Sequence, residues 1–274
     1  MLIIYTLKST KVQGCAMILN MKIEVLYEDE NFLAINKPAG ISVHQTANNK
    51  EYSVADWIQK NYPELEGVGE DMYVEYKGEQ IKINRPGIVH RLDKDTSGVL
   101  LIAKNQESFT YLKRQFKKHA IQKTYNAFVY GSLKDPVASL RTGKKGVINS
   151  PIGRSPKNIR MWTAGRGARG EAKDALTEYI VLKRFEEQGE SFSYVEVYPK
   201  SGRTHQIRVH LRYINHPVVS DPLYANNNDQ ALGFLRTALH ARMIYFKDRH
   251  GKDISIEAPF PQDFENAIVS QNLA

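Results

Sequence analysis

Apolar and polar residues alternate twice between Met21 and Gly40, in MKIEVLYEDENFLAINKPAG, and the segment ends in a Pro-Ala-Gly turn. Period-two patterning closed by turn residues predicts a strand, a short connection and a second strand. Ser53-Val54-Ala55-Asp56 then carries the spacing of a capping box, so a short helix is expected there, stopped by Pro63. Residues 98 to 104, GVLLIAK, form a nearly continuous apolar run of the kind found in buried strands. After it Phe109, Leu112 and Phe116 recur at helical spacing, with Asn105 placed to cap the helix and Glu107 in its first turn. The outer face of that helix holds Lys113, Arg114, Lys117 and Lys118. Strand-like residues return from Tyr125 to Gly131, and SFSYVEVYP at 191 to 199 alternates again. Hairpin-like strands with a few helices between them predict an α+β fold with a mixed, largely antiparallel sheet and flanking helices.

Composition narrows the class. At 274 residues the chain can bury a substantial core as one large domain or two small ones, and its 42% hydrophobic and 25% charged residues are ordinary for a globular protein. No apolar stretch approaches the roughly 18 to 20 residues a membrane span needs, so no membrane partner is expected. Residues 1–20 read as an amino-terminal extension, because the strand pattern starts only at Met21, and Met17 or Met21 could serve as start codon. The lone cysteine, Cys15, can form no internal disulfide, and a reducing cytoplasm is the expected compartment.

Charge points to a polyanion. The net charge is +8, and nine cations from Arg141 to Lys173 face only Glu171. Eight glycines and prolines share that segment, which reads as an extended loop, either simply solvated or embracing RNA so that its cations reach phosphates while Trp162 stacks on a base.

The most informative segment is HRLDKDTSGVLLIAK, His90 to Lys104. It places a carboxylate, Asp93, two residues after Arg91 and just before a turn into the buried strand, where a rigid element can position a site. The same residues are good turn formers, since Asp and Ser cap backbone amides. Pattern alone leaves both readings open. No glycine-rich phosphate loop joins a strand to a helix, and GRGARG at 165 to 170 lacks a preceding strand. His205 and His210 are five apart, not four, and no carboxylate partner sits nearby in sequence, so no metal is expected.

Five further segments, taken in order with HRLDKDTSG, change the balance: INKPAGISVH at 35 to 44, QKTYNAFVYG at 122 to 131, PKSGRTHQIRVHL at 199 to 211, HPVVSDPLYA at 216 to 225 and LHARMIYF at 239 to 246. Together they resemble the RluA/RluD-type pseudouridine synthases, from roughly Met21 to Pro261. The resemblance implies the pseudouridine synthase fold with a central basic cleft, residues 21–274 as one catalytic domain, and no separate amino-terminal RNA-binding module. It implies that Asp93 is the catalytic aspartate and that Tyr125 is the catalytic active-site tyrosine, which stacks on the target base and is proposed as a base in the reaction. Arg208 is then the arginine paired with Asp93, and Arg91 helps displace or support a flipped nucleotide. His90, Thr96, Ile207, Arg203 and Lys37 complete the expected substrate-binding set. The implied partner is ribosomal or transfer RNA, the chain acting as a monomer without cofactor.

Residues 205 to 212, HQIRVHLR, satisfy both the strand and the helix period. The helix is adopted, in line with the resemblance: Ile207, Leu211 and Ile214 share one face, Thr204 caps it and Pro217 ends it. Isomerising uridine breaks the bond from ribose to ring nitrogen and rejoins the ring through carbon, without net oxidation or hydrolysis. Asp93 is then a nucleophile or a base near the ribose. Two rivals stand beside this reading. A glycosidase-like hydrolase would need a second carboxylate, for which Asp95 and Asp221 are candidates, and a non-catalytic RNA-binding or ribosome-assembly protein could use the same fold. The isomerase reading demands an Asp93–Arg208 ion pair with Tyr125 beside it.

Overall fold

The computed structural model describes residues 23–46, 51–70, 72–134, 145–225 and 230–273. The amino-terminal extension and, in the basic segment, Arg141, Gly143 and Lys144 lie outside the described residues. The double alternation after Met21 forms β1 (Glu24–Glu28) and β2 (Phe32–Lys37), paired antiparallel. Their connection is set by Asp29, whose Oδ1 accepts from the amides of Asn31 and Phe32, each at 2.7 Å. Helix α1 (Val54–Asn61) starts on the expected capping box of Ser53 and Asp56, and a 3-10 turn at Pro63–Leu65 follows it. A hairpin of β3 (Met72–Tyr76) and β4 (Glu79–Ile83) stands apart from the main sheet.

The apolar run becomes β5 (Ser97–Ala103), buried at every position. Both faces of the sheet are covered there. Leu33, Ile35, Leu100 and Ile102 pack with Val54, Ala55 and Ile58 of α1 on one side. Phe32, Ala34, Val99, Leu101 and Ala103 pack on the other with Phe109 and Leu112 of α2 (Gln106–Lys117). A strand covered on both faces has no polar alternation to show. Asn105 caps α2 by accepting the Ser108 amide at 2.9 Å, and its four outward cations are exposed.

The remaining strands are β6 (Gln122–Tyr130), β7 (Gly146–Asn149), β8 (Ile152–Arg154), β9 (Trp162–Ala164), β10 (Arg169–Lys173), β11 (Leu176–Glu187), β12 (Glu190–Pro199), β13 (Leu239–Lys247) and β14 (Asp253–Glu257). Helices α3 (Gln206–Tyr213) and α4 (Gln262–Ser270) complete the described elements. The main sheet runs β1-β2-β5-β13-β6-β12-β11-β7, with β14 on the free half of the β13 edge. Only β5 and β13 run parallel, through Ser97–His240 and Gly98–Ala241. Gly98 has φ +113, and a Cβ there would lie 2.1 Å from the Ala241 carbonyl oxygen, so no other residue lets the two strands meet. That contact fixes the start of β5, and with it the turn that carries Asp93. The expected α+β class with a mixed, largely antiparallel sheet and flanking helices is the architecture observed.

Two local expectations are corrected. The stretch up to Lys173 is not an extended loop: β8, β9 and β10 form a three-stranded sheet, and β7 pairs with β11. These strands are three to five residues long, too short to display a period. Their apolar side, Ile152 and Ala164, is buried by Val209 of α3 and by Tyr224, a partner distant in sequence. Trp162 is half-buried against that cluster with the Arg154 guanidinium 4.5 Å from its ring, not free in a loop. The cap of α3 is His205, in the left-handed region at φ 55, rather than Thr204, and no side chain caps the helix.

Candidate active site

The turn that opens β5 is built from its own residues and one buried lysine. The Thr96 amide donates to the Asp93 carbonyl at 3.1 Å, closing a turn over residues 93 to 96. Lys37, fully buried, donates from Nζ to the carbonyls of Pro38, Ile41 and Lys94 at 2.8, 2.9 and 3.0 Å. The turn reading and the site reading of this segment are therefore both satisfied: the backbone makes the turn, and the Asp93 side chain leaves it towards a cavity. On the other side of that cavity, α3 is pinned by Gln206. Its Oε1 accepts from Ser201 and the Arg203 amide, and its Nε2 donates to the Leu176 carbonyl and Thr177 Oγ1.

Arg208 projects from α3 between two carboxylates. Its Nη1 donates to Asp93 Oδ2 at 3.0 Å, while Nε and Nη2 donate to the two oxygens of Asp221 at 2.7 and 2.8 Å. Asp221 is 0% exposed and also accepts the amides of Leu223 and Tyr224. Asp93 is 20% exposed and Arg208 7%, so of the three only Asp93 offers a carboxylate oxygen to the cavity. Burial opposes the Arg208 charge, but the Asp221 hydrogen bonds and the charges of Asp221 and Asp93 more than offset it, raising its pKa above the ordinary value. Such a bidentate pair locks the guanidinium plane, which in turn aims Nη1 at Asp93.

Tyr125, from β6, lines the same cavity. Burial first, and then the charge of Asp93, push its phenol well above the usual tyrosine pKa, so it is neutral near pH 7. Tyr224 lies under Arg208, 5.0 Å from guanidinium to ring centre, and its hydroxyl joins His205 Nδ1 to the Trp162 amide, both at 2.9 Å. The cavity measures about 560 Å³. Its walls carry Arg85, Arg91, Lys117, Lys123, Lys200 and Arg203 besides Arg208, against the single acidic side chain of Asp93.

The other expected residues divide. Arg91, exposed, lines the cavity with Thr96, Ile207 and Arg203, whose Nε donates to the Asp174 carbonyl. His90 reaches the wall but is spent on structure: its Nε2 accepts the Leu101 amide at 2.9 Å and its ring stacks on Phe116. Burial and the charge of Lys123 push its pKa down to about 3. Lys37 is not brought to the cavity, because its three donors are consumed inside the protein. His210 is likewise internal, bonded to Thr177 and the Ser150 carbonyl. Among the described residues, no three His, Cys, Asp or Glu side chains are grouped to hold a metal ion. Sequence reasoning weighed Asp221 only as a hydrolase acid and passed over Tyr224 and Lys123. All three sit inside the quoted motif segments, which was the signal available.

Residues 31–213 match the family model described as RNA pseudouridylate synthase. The chain belongs to this family. An uncharacterized RNA pseudouridine synthase of Bacillus subtilis, YlyB, is 34% identical over 249 residues, covering 90% of this chain and 72% of that protein. The ribosomal large subunit pseudouridine synthase D of Zymomonas mobilis is 33% identical, with 90% and 72% covered. Among solved structures, human RNA pseudouridylate synthase domain containing 4 superposes with a TM-score of 0.65 over 95% of this chain and 97% of its own, at 24% identity, a likeness of fold. RNA pseudouridine synthases are isomerases, and the chain is an enzyme of that class.

Proposed function

We propose that the chain isomerises particular uridines of ribosomal or transfer RNA, each presented as a flipped-out nucleotide, with Asp93 as the catalytic carboxylate. The observation that carries this reading is the 3.0 Å contact between Asp93 and Arg208, residues 115 apart in sequence, inside a cavity that also holds Tyr125. Relatives named for the large ribosomal subunit support ribosomal RNA as a substrate.

A base stacked in a helix cannot bring its sugar to a carboxylate, so the nucleotide leaves the stack and enters the cavity. Tyr125 offers its ring as the stacking face, and Ile207 closes the apolar side. Asp93 works at the ribose or the ring as nucleophile or base, with Arg208 offsetting its charge when the cavity is dehydrated. The C1′–N1 bond breaks, a C1′–C5 bond forms, and the proton lost from C5 is balanced by one gained at N1, so no co-reactant is required. Arg91 helps displace or support the flipped nucleotide. The cleft cations and the exposed face of α2 contact phosphates, supplying affinity without reading sequence. A cytoplasmic enzyme is in keeping with the single cysteine and with the lack, among the described residues, of a helix long and apolar enough to span a membrane.

Chemical labelling of pseudouridine in RNA from cells with and without the gene tests the reading directly. Specific uridines should go unmodified without the gene and be restored by the wild type but not by Asp93→Asn, while purified Asp93→Asn still binds the RNA. Stoichiometric release of free uracil would instead mark a hydrolase, and an unchanged map would remove the catalytic claim.

A further inference from the structure

Lys123 and Tyr125 stand two residues apart on β6. Their side chains leave the strand on the same face, roughly 7 Å apart along it. Both line the cavity, whose apolar lining includes Val89, Phe116 and Ile121. The Lys123 ammonium donates to the Ser201 carbonyl at 3.1 Å, and among the described residues it forms no ion pair. Burial pushes its pKa down to about 8, as expected for a cation that has lost water without gaining a carboxylate.

Lys37 is the instructive contrast. Three carbonyls take its three donors and it is sealed inside the protein, whereas Lys123 has one such acceptor and an open cavity before it. Among the described residues lining the cavity, Asp93 is the one acidic side chain near Lys123. His90 and Arg91 precede Asp93, whose charge already faces Arg208; Lys117 and His119 end α2; Lys200 and Arg203 follow β12; and across the β13 pairing stands Ile244. A half-desolvated ammonium among further cations calls for a diffuse monoanion, which a phosphodiester provides and the neutral carbonyls of uracil do not.

We propose that Lys123 is the centre of a phosphate subsite, which holds a phosphodiester of the RNA strand adjoining the nucleotide stacked on Tyr125. The proposal rests on the RNA-isomerase reading above and adds the place where the neighbouring backbone is gripped. It also gives the Ser201 contact a purpose, since the same ammonium ties β6 to the 199–204 segment that carries Arg203.

The test uses the full-length protein and bulk ribosomal RNA from cells lacking the gene, with polyuridylate as a second probe. Binding of wild type, Lys123→Met and Lys123→Arg is measured across a salt series and across pH 7 to 9, alongside thermal melting. Lys123→Met should weaken binding about tenfold and flatten the plot of log affinity against log salt by about 0.7, the loss of one single-strand phosphate contact. Wild-type affinity should decline as pH rises through about 8, where the lysine sheds its proton, while Lys123→Arg stays charged and binds without that decline. An unchanged salt slope in Lys123→Met, whatever its melting temperature, overturns the subsite. If Lys123→Met does not fold, the arginine variant decides alone: a pH dependence equal to that of wild type overturns it. Wild type that binds this RNA yet forms no pseudouridine in it would count against the isomerase reading and leave these slopes readable.

Discussion

At Arg208 a single guanidinium serves two carboxylates in different surroundings. Asp221 is fully buried and grips it at two points, while Asp93 meets it at one and keeps the other oxygen for the cavity. With Asp93 as the proposed catalytic carboxylate, Asp221 would be a positioning residue that acts through Arg208. Asp221→Asn should lower turnover by roughly 10²-fold, as a displaced catalytic group does, with a smaller change in KM, since Asp221 does not line the cavity that holds Asp93. Asp221→Ala should in addition cost about 3–5 kcal/mol of stability by leaving Arg208 with an uncompensated buried charge, which denaturant unfolding would measure. Of this arrangement only Asp93 and Arg208 were legible in the sequence, through the motifs they occupy. Asp221 read equally well as a second acid, because a carboxylate's role is decided by whether its charge is already taken. Lys37 misled in the same way: its motif sits beside the turn that carries Asp93, yet its ammonium points into the protein and holds that turn from within.

Elements inherit their roles from what covers them. β5 was recognisable from its unbroken apolar run, α1 from its capping box and α2 from its period and cap, since these signals are local. The short strands β8 to β10 were not, because their burial comes from α3 and Tyr224. β5 is also tied to its approach by a side chain: the Leu101 amide donates to His90 Nε2, which needs the imidazole neutral. The folded pKa is pushed to about 3, below the ordinary value of about 6.5. Between those limits the unfolded chain binds the extra proton, so stability should fall as pH drops from about 6.5 towards 3, by up to about 1.4 kcal/mol per pH unit. His90→Gln should lack that share of the slope in denaturant midpoints taken across this range. Equal slopes would mean that His90 is not held neutral.

Over the whole molecule, the cleft gathers seven cationic side chains of lysine and arginine around one aspartate, drawn from segments between Arg85 and Arg208. RNA affinity should consequently fall steeply with salt, with a log–log slope beyond about −3 if four or more phosphates are contacted. A shallow slope in filter-binding measurements would argue for recognition by base stacking instead. The sequence by itself determined the α+β class, the strands from Glu24 to Lys37 and at Ser97–Ala103, the helix after Asn105 and the ordered motifs that mark the family. Periodicity, caps and motif order are properties of neighbouring residues and can be read along the chain. Only the tertiary structure decided that Arg208 is shared by Asp93 and Asp221, that Lys37 is sealed away while Lys123 faces the cavity, and that the basic segment from Lys145 to Lys173 carries four short strands. Burial and ion pairing depend on partners that only the fold brings together, Asp93 and Arg208 from 115 residues apart.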